Sequence, residues 1–152
     1  CRREQGFVVA SGNPMKIRAI DDVIAMRARI ALRPAGAGAQ LLLLSLLHRA
    51  KATLDQLTAG GPVCPTGPDI AQAIRAGRAD TGIATRSVAS AAGLDFVPIV
   101  WEPFDLLMRQ HDYFGPAVQA LIRFMRSDEL SARAREMGGF DLADAGKVRD
   151  VV

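Results

Sequence analysis

The chain predicts an α/β fold, a mostly parallel sheet flanked by helices, and three observations carry that expectation. Short β-rich runs alternate with segments of helical apolar spacing, in the order β-α-β-α-α-β-α-β-β-α-α. At 152 residues and 49% apolar, the chain has the core of one ordinary domain. Its helices should be plentiful, because Ala and Leu dominate and only 5% of residues are aromatic. The third observation is local: a β-like run at residues 29–32 turns through Arg33, Pro34, Ala35, Gly36, Ala37 and Gly38 into a leucine-rich helix. Such a turn leaves several helix-start N–H groups without partners beside the positive end of the helix dipole, which suits an anion.

The elements follow in order. Residues 6–10 form a compact β-rich run, closed by the turn chemistry of Ser11, Gly12, Asn13 and Pro14. Ile17, Ile20, Val23 and Ile24 then repeat at helical spacing with Asp21 and Asp22 outside. After the strand at 28–33, the helix over 39–51 is apolar on almost every side, which predicts a helix buried between layers. His48 and Arg49 near its end suit the negative dipole terminus, and residues 53–57 suggest a further helical turn.

Residues 59–69 are dense in Gly and Pro. A helix should follow, with Pro68 in its first turn, Thr66 or Gly67 near the cap, and Gly77 at its stop. Residues 81–85 read as a strand, 87–92 as a small helix ended by Gly93, and 94–101 as a strand broken by Glu102 and Pro103. An extended run is expected to resume at 104–109. Two helices finish the chain: 116–126, with Val118, Leu121, Ile122 and Met125 inward, and 128–137, with Asp128 as N-cap and Gly138 as stop.

Composition excludes several classes. The net charge is +3 and no basic run reaches five residues, so neither a nucleic-acid tail nor a membrane patch is indicated. No apolar run approaches the roughly 20 residues of a bilayer span. Cys1 and Cys64 form no metal-ligand spacing with His48 or His111, and a disulfide between them stays open. The start at Cys1, without Met, suggests a longer polypeptide upstream. Catalytic signatures are missing: there is no G-x-S-x-G, no H-E-x-x-H and no P-loop lysine. Asp80 is expected to satisfy backbone groups at a helix–strand junction. The chain is therefore expected not to be an enzyme, with no cofactor and no metal.

What recurs is a set of neutral donors at strand ends. Ser11, Gly12 and Asn13 form one group; Gly36, Ala37 and Gly38 another; Thr66 a third; Gly82 and Thr85 a fourth. In open α/β sheets ligands sit beyond the carboxyl ends of strands, and four such turns converging there would hold a small anion by hydroxyls and backbone N–H groups.

An ordered series of segments carries a resemblance. It comprises Arg3-Glu4-Gln5-Gly6-Phe7-Val8-Val9-Ala10-Ser11-Gly12-Asn13-Pro14, Arg33-Pro34-Ala35-Gly36-Ala37-Gly38, Ala76-Gly77-Arg78-Ala79-Asp80-Thr81-Gly82-Ile83-Ala84, Leu94-Asp95-Phe96-Val97-Pro98-Ile99, Phe104-Asp105-Leu106 and Met137-Gly138-Gly139-Phe140-Asp141. Together they resemble the periplasmic-binding-protein-like domain family related to LysR-type substrate-binding domains. That family is found attached to helix-turn-helix transcription regulators, including molybdate-regulator-like ones, and to molybdopterin biosynthesis proteins of the MoeA type.

The resemblance implies a type II periplasmic-binding-protein-like fold of two α/β lobes with ligand in the cleft between them. It implies a fragment in which the N-terminal half of the first lobe is missing. Residues 1–103 would be the second lobe with its leading crossing strand, and residues 104–152 the return segment of the first. The Gly36, Ser11, Thr66 and Gly82–Thr85 turns would line the cleft. Departures from the family pattern each remove a side-chain donor: Ala37 and Ala39 stand where Ser or Thr is usual, Gly67 where His is common, and Phe104 where an aromatic hydroxyl is frequent.

The implied role is a cytoplasmic ligand-sensing domain of a transcription regulator that binds a small anion, molybdate or tungstate among them. DNA would be reached only through an attached helix-turn-helix domain, with no membrane partner and a homodimer as one form. The alternatives are a periplasmic solute-binding protein of a transport system and a ligand-free accessory module of a molybdopterin protein.

Overall fold

The computed structural model describes residues 1–149. Its elements are β1 (Arg2–Val9), α1 (Ile20–Ala25), β2 (Arg29–Ala31), α2 (Gly38–Arg49), a 3₁₀ turn (Leu54–Gln56), β3 (Thr58–Ala59), α3 (Gly67–Arg75), β4 (Thr81–Thr85), α4 (Arg86–Ala92) and β5 (Asp95–Pro103). They continue as α5 (Gln110–Tyr113), α6 (Pro116–Met125), α7 (Asp128–Met137) and β6 (Phe140–Asp141). The fold is the predicted α/β class. The sheet runs β3-β2-β4-β1-β5, with β6 added on β1.

The sheet is mixed. β2 pairs in parallel with β3 and β4, whereas β1 pairs antiparallel with β4 and β6. Residues 10–28, with the six-residue α1 within them, connect β1 to β2. Because β1 opposes β4 and β2 runs with it, β2 starts at the edge where β1 ends.

The chain divides into two compact units, Gln5–Val100 and Cys1–Glu4 with Trp101–Val152. The expected return segment, 104–152, ends in three residues outside the described ones.

In the unit Gln5–Val100, strand alternation sorts apolar side chains to two faces. Phe7, Val9, Ile30 and Ile83 meet Val23 of α1 and Leu43 and Leu47 of α2 on one. Val8, Ala31 and Ala84 meet Ile70, Ala73 and Ile74 of α3 and Ala89 of α4 on the other. The expectation that α2 is buried all round is corrected. It buries Ala39, Gln40, Leu43 and Leu47, while Leu41 is 55% exposed and Leu44 40%. Only one of its sides faces a sheet, so it forms an outer layer.

Asp80 does what its position suggested. Its carboxylate accepts from the Arg29 backbone N–H at 2.8 Å and from Arg29 Nη2 at 2.7 Å, joining the starts of β2 and β4. Both cysteines are free, and Cys64 is buried.

In the second unit, Arg2 and Arg3 pair with Asp141 and Phe140. Arg3 ion-pairs with Glu102 and stacks over the Phe104 ring, 4.4 Å from its centroid. β5 continues through Glu102 and Pro103, where a break was expected. Residues 104–109 form no strand, and Leu106 and Leu107 are exposed. α6 buries Ile122 but exposes Leu121, which was expected inward. The α7 cap is Ser127, whose hydroxyl accepts from the Leu130 N–H, so Asp128 is the first helical residue. α5 and β6, at four and two residues, were too short to carry a periodic signal.

The Arg29 hydrogen bonds, with a smaller backbone and charge contribution, hold the Asp80 carboxyl below its ordinary range. A depressed folded value gives stability that is present above the unfolded value of about 3.9 and lost as pH falls through the folded one. Asp80→Asn should therefore lower the urea midpoint at pH 7 and flatten its fall between about pH 4 and 2, relative to the parent chain.

Candidate functional site

Register decides which strand ends meet. Ile30 lies beside Thr81 and Ala31 beside Gly82 in the parallel pair β2–β4, so the carboxyl ends of these strands finish side by side. β1 runs the other way, with Gln5 opposite Thr85 and Val9 opposite Thr81. The sheet in this unit thus has two unlike edges. One gathers the turn after β2, the start of α2, the start of α4 and Gln5. The other gathers the turn after β1 and the starts of β2 and β4.

Gly36, Ala37 and Gly38 stand at the first edge. Gly36 takes a left-handed φ of +84°, which favours glycine, and a Cβ on Gly38 would meet nothing within 4 Å. Ala37 is the N-cap of the twelve-residue α2 and supplies no side-chain acceptor. The first N–H groups of α2 are therefore not met by a capping side chain, and they carry the positive end of its dipole. Thr85 is at the same edge, half-buried, with its hydroxyl 2.9 Å from that of Ser87.

Thr66 precedes α3 and is committed elsewhere. Its hydroxyl lies 2.6 Å from Asp69 Oδ2 and its N–H donates to the same oxygen at 2.8 Å, closing a capping box. Those bonds hold the Asp69 carboxyl below its usual range. Thr66 is thus chiefly a helix cap.

Gly82 is inside the sheet. A Cβ there would stand 2.6 Å from Ile70 Cγ2 and 3.2 Å from the Ala31 Cβ, so glycine is what lets α3 lie on β4.

Ser11, Gly12 and Asn13 end β1 and therefore lie at the opposite edge. The Gly12 N–H donates to Asp95 Oδ2 at 2.8 Å. The Asn13 side chain donates to the Ile17 carbonyl at 2.8 Å and accepts from the Ile17 N–H at 3.0 Å, which seats Ile17 in the core. The four expected turns therefore do not converge. The structure brings together the Gly36–Gly38 turn and Thr85, sets Thr66 beside them as a cap, and separates both Gly82 and the Ser11–Asn13 turn.

The expected donor list omitted several residues at this edge: Arg33, Gln40, Ser87 and Arg86. Gln40 is buried, and its Oε1 accepts from the Arg33 N–H at 3.0 Å. Arg86 lies over the Phe96 ring, 4.5 Å from its centroid. Arg33 follows its strand by two residues, a signal available in the sequence. Arg86 needs the pairing of β4 and β5 around β1, which no local pattern gives. Among the described residues, no three His, Cys, Asp or Glu side chains gather as metal ligands, and no helix is long and apolar enough to cross a membrane.

This mixed sheet flanked by helices is the fold of type II periplasmic binding proteins. The chain belongs to the PBP superfamily, whose domain model matches residues 1–126.

Over 146 residues it is 25% identical to the uncharacterised protein YvgK of Bacillus subtilis (strain 168), covering 96% of this chain and 47% of YvgK. The chain thus spans about half the length of that relative.

Among solved structures, L-phospholactate-bound PEB3 aligns with a TM-score of 0.69 at 18% identity, covering 92% of this chain and 66% of PEB3. PEB3 from Campylobacter jejuni aligns at a TM-score of 0.60 and 18% identity, covering 92% of this chain and 66% of its own. An ancestral arginine-binding protein bound to arginine aligns at a TM-score of 0.60 and 15% identity, covering 91% of this chain and 62% of its own. At these identities the likeness is one of fold.

Gly82→Ala should destabilise the chain by about 1–3 kcal/mol in urea unfolding, because the added methyl overpacks Ile70 against β4. The loss should appear with or without added solute, as expected of a packing position.

Proposed function

We propose that this chain is a non-catalytic solute-binding domain that takes a small anion at the edge formed by the ends of β2 and β4. The observation that carries this reading is the start of α2, which has no side-chain cap and is framed by Gly36 and the open Gly38 beside Thr85. A small anion there would accept the first N–H groups of the helix and meet its dipole. In this reading the domain senses its ligand for a cytoplasmic transcription regulator, reaching DNA through an attached helix-turn-helix domain. Molybdate and tungstate are within the chemistry that such donors suit. The ordered series of resembling segments supports the regulator role.

A second reading is solute capture outside the cytoplasm. It draws on solved proteins of this fold, PEB3 bound to L-phospholactate and an ancestral arginine-binding protein bound to arginine. The gene sequence upstream separates the two: a helix-turn-helix there favours sensing and a signal peptide favours capture.

Calorimetric titration with molybdate, tungstate, sulfate, phospholactate and small carboxylates tests the anion reading, and at least one should give saturable heat. Gly38→Leu places its side chain in open space. It should abolish that heat while leaving the thermal midpoint within a few degrees of the parent, about 4 °C or less. No heat from any of the anions would sink the reading.

A further inference from the structure

Gln40 is the third residue of α2, and its polar side chain is buried, at 8% exposure. A glutamine at this position of a helix ordinarily reaches back to the N–H of the capping residue. Here that N–H, of Ala37, already donates to the Pro34 carbonyl at 3.1 Å. The Gln40 side chain passes it and accepts, through Oε1, from the Arg33 backbone N–H. The Arg33 guanidinium takes no part in this lock, because its Nη2 donates to the Pro65 carbonyl.

The lock fixes which way the carboxamide faces. Only its oxygen can accept from a backbone N–H, so the NH2 group is turned away from Arg33. A helical side chain leans over the turn that precedes it, which lays this carboxamide along the first turn of α2. The Nε2 has no hydrogen-bond partner among the described residues, yet it is not sealed from solvent. A side chain more than nine-tenths buried thus ends in an open donor at the start of the helix. An amide buried with an unmet N–H is costly unless an acceptor comes to it.

The neighbouring main chain is in the same condition. The N–H groups of Gln40 and Leu41 turn back to the Ala37 carbonyl, at 2.8 and 3.0 Å. Those of Gly38 and Ala39 have no backbone acceptor among the described residues. The first turn of α2 therefore offers two main-chain donors and one side-chain donor, all of them neutral.

We propose that the Gln40 carboxamide is a ligand-binding donor, positioned by the Arg33 N–H, that meets the same anion as the Gly38 and Ala39 N–H groups. The proposal rests on the anion-binding reading above and deepens it by assigning the side chain that recognises the ligand. The group it fits carries at least two unprotonated oxygens on one centre, as a carboxylate or a tetrahedral oxyanion does. One oxygen then meets the main-chain donors and another meets the amide.

The test begins with calorimetric titration of the 152-residue protein with acetate, phospholactate, sulfate, molybdate and tungstate. The tightest binder of the five is then added to isotope-labelled protein. The side-chain NH2 signals of Gln40, assigned through its bonds to the backbone, should shift. Those of Gln119, whose amide donates to the Tyr113 carbonyl, should stay in place. A glutamine with a merely structural role would not give that difference. Gln40→Met removes the donor and should weaken the same anion by about 10- to 100-fold, the range of a hydrogen bond to a charged group. Gln40→Glu keeps an oxygen for the Arg33 N–H while losing the donor, and should lose at least as much affinity at neutral pH. It carries the affinity measurement if Gln40→Met does not fold.

Unmoved Gln40 signals at saturation, or unchanged affinity in the variant, would overturn the proposal and leave the anion-binding reading standing. Silence of the parent protein toward all five anions would overturn that reading and the proposal with it.

Discussion

Ile70 rests on β4 at the point where Gly82 has no side chain, and much of the Gln5–Val100 unit depends on that contact. β4 is the strand that pairs with both β2 and β1. Its residues Thr81, Gly82, Ile83 and Ala84 are all buried. With α3 laid close on this strand, the Thr66 cap, the start of α3 and the start of α4 are carried to one edge. A methyl group at Gly82 would lift the helix from the sheet. The same glycine that looked like a ligand donor thus acts by absence, as a seat for a helix.

The direction of β1 then divides the molecule's chemistry. Because β1 opposes β4, the turn it leads into lies at the edge where β2 and β4 begin. There the polar groups are consumed internally: Asn13 by Ile17, Asp95 by the Gly12 N–H, Asp80 by Arg29. At the other edge the opposite holds. α2 begins with no side-chain cap, and Arg33 keeps an Nε with no acceptor. Buried polar groups are ordinarily satisfied, so the edge with unmet donors is the one at which the proposed ligand would bind. That asymmetry, more than any motif, separates the two ends of the sheet.

Much of the fold was legible in the sequence because it is local. β4 matches its expected span, Thr66 and Pro68 mark the start of α3, and Gly93 closes α4 in the left-handed conformation. The junction role of Asp80 was equally readable. The character of α2 was not, since a leucine-rich helix reads alike whether one side or two are covered. Nor was the direction of β1, which is fixed by pairing with β4, far away in the sequence. The site suffered most from that miss. Turn chemistry identified Ser11–Asn13 and Gly36–Gly38 equally well, but only strand direction shows that they stand at opposite edges. Arg86 was invisible for a related reason, because its ring partner, Phe96, lies ten residues later on a strand beyond β1.

The account rests on the ligand meeting the edge at the ends of β2 and β4. Amide chemical-shift mapping during addition of phospholactate or molybdate tests this most directly. The predicted result is a contiguous set of perturbed amides at Gly36, Gly38, Ala39, Thr85 and Arg86, with those of Ser11, Gly12 and Asn13 unmoved. Perturbation centred on Ser11–Asn13, or no perturbation at saturating ligand, would contradict it.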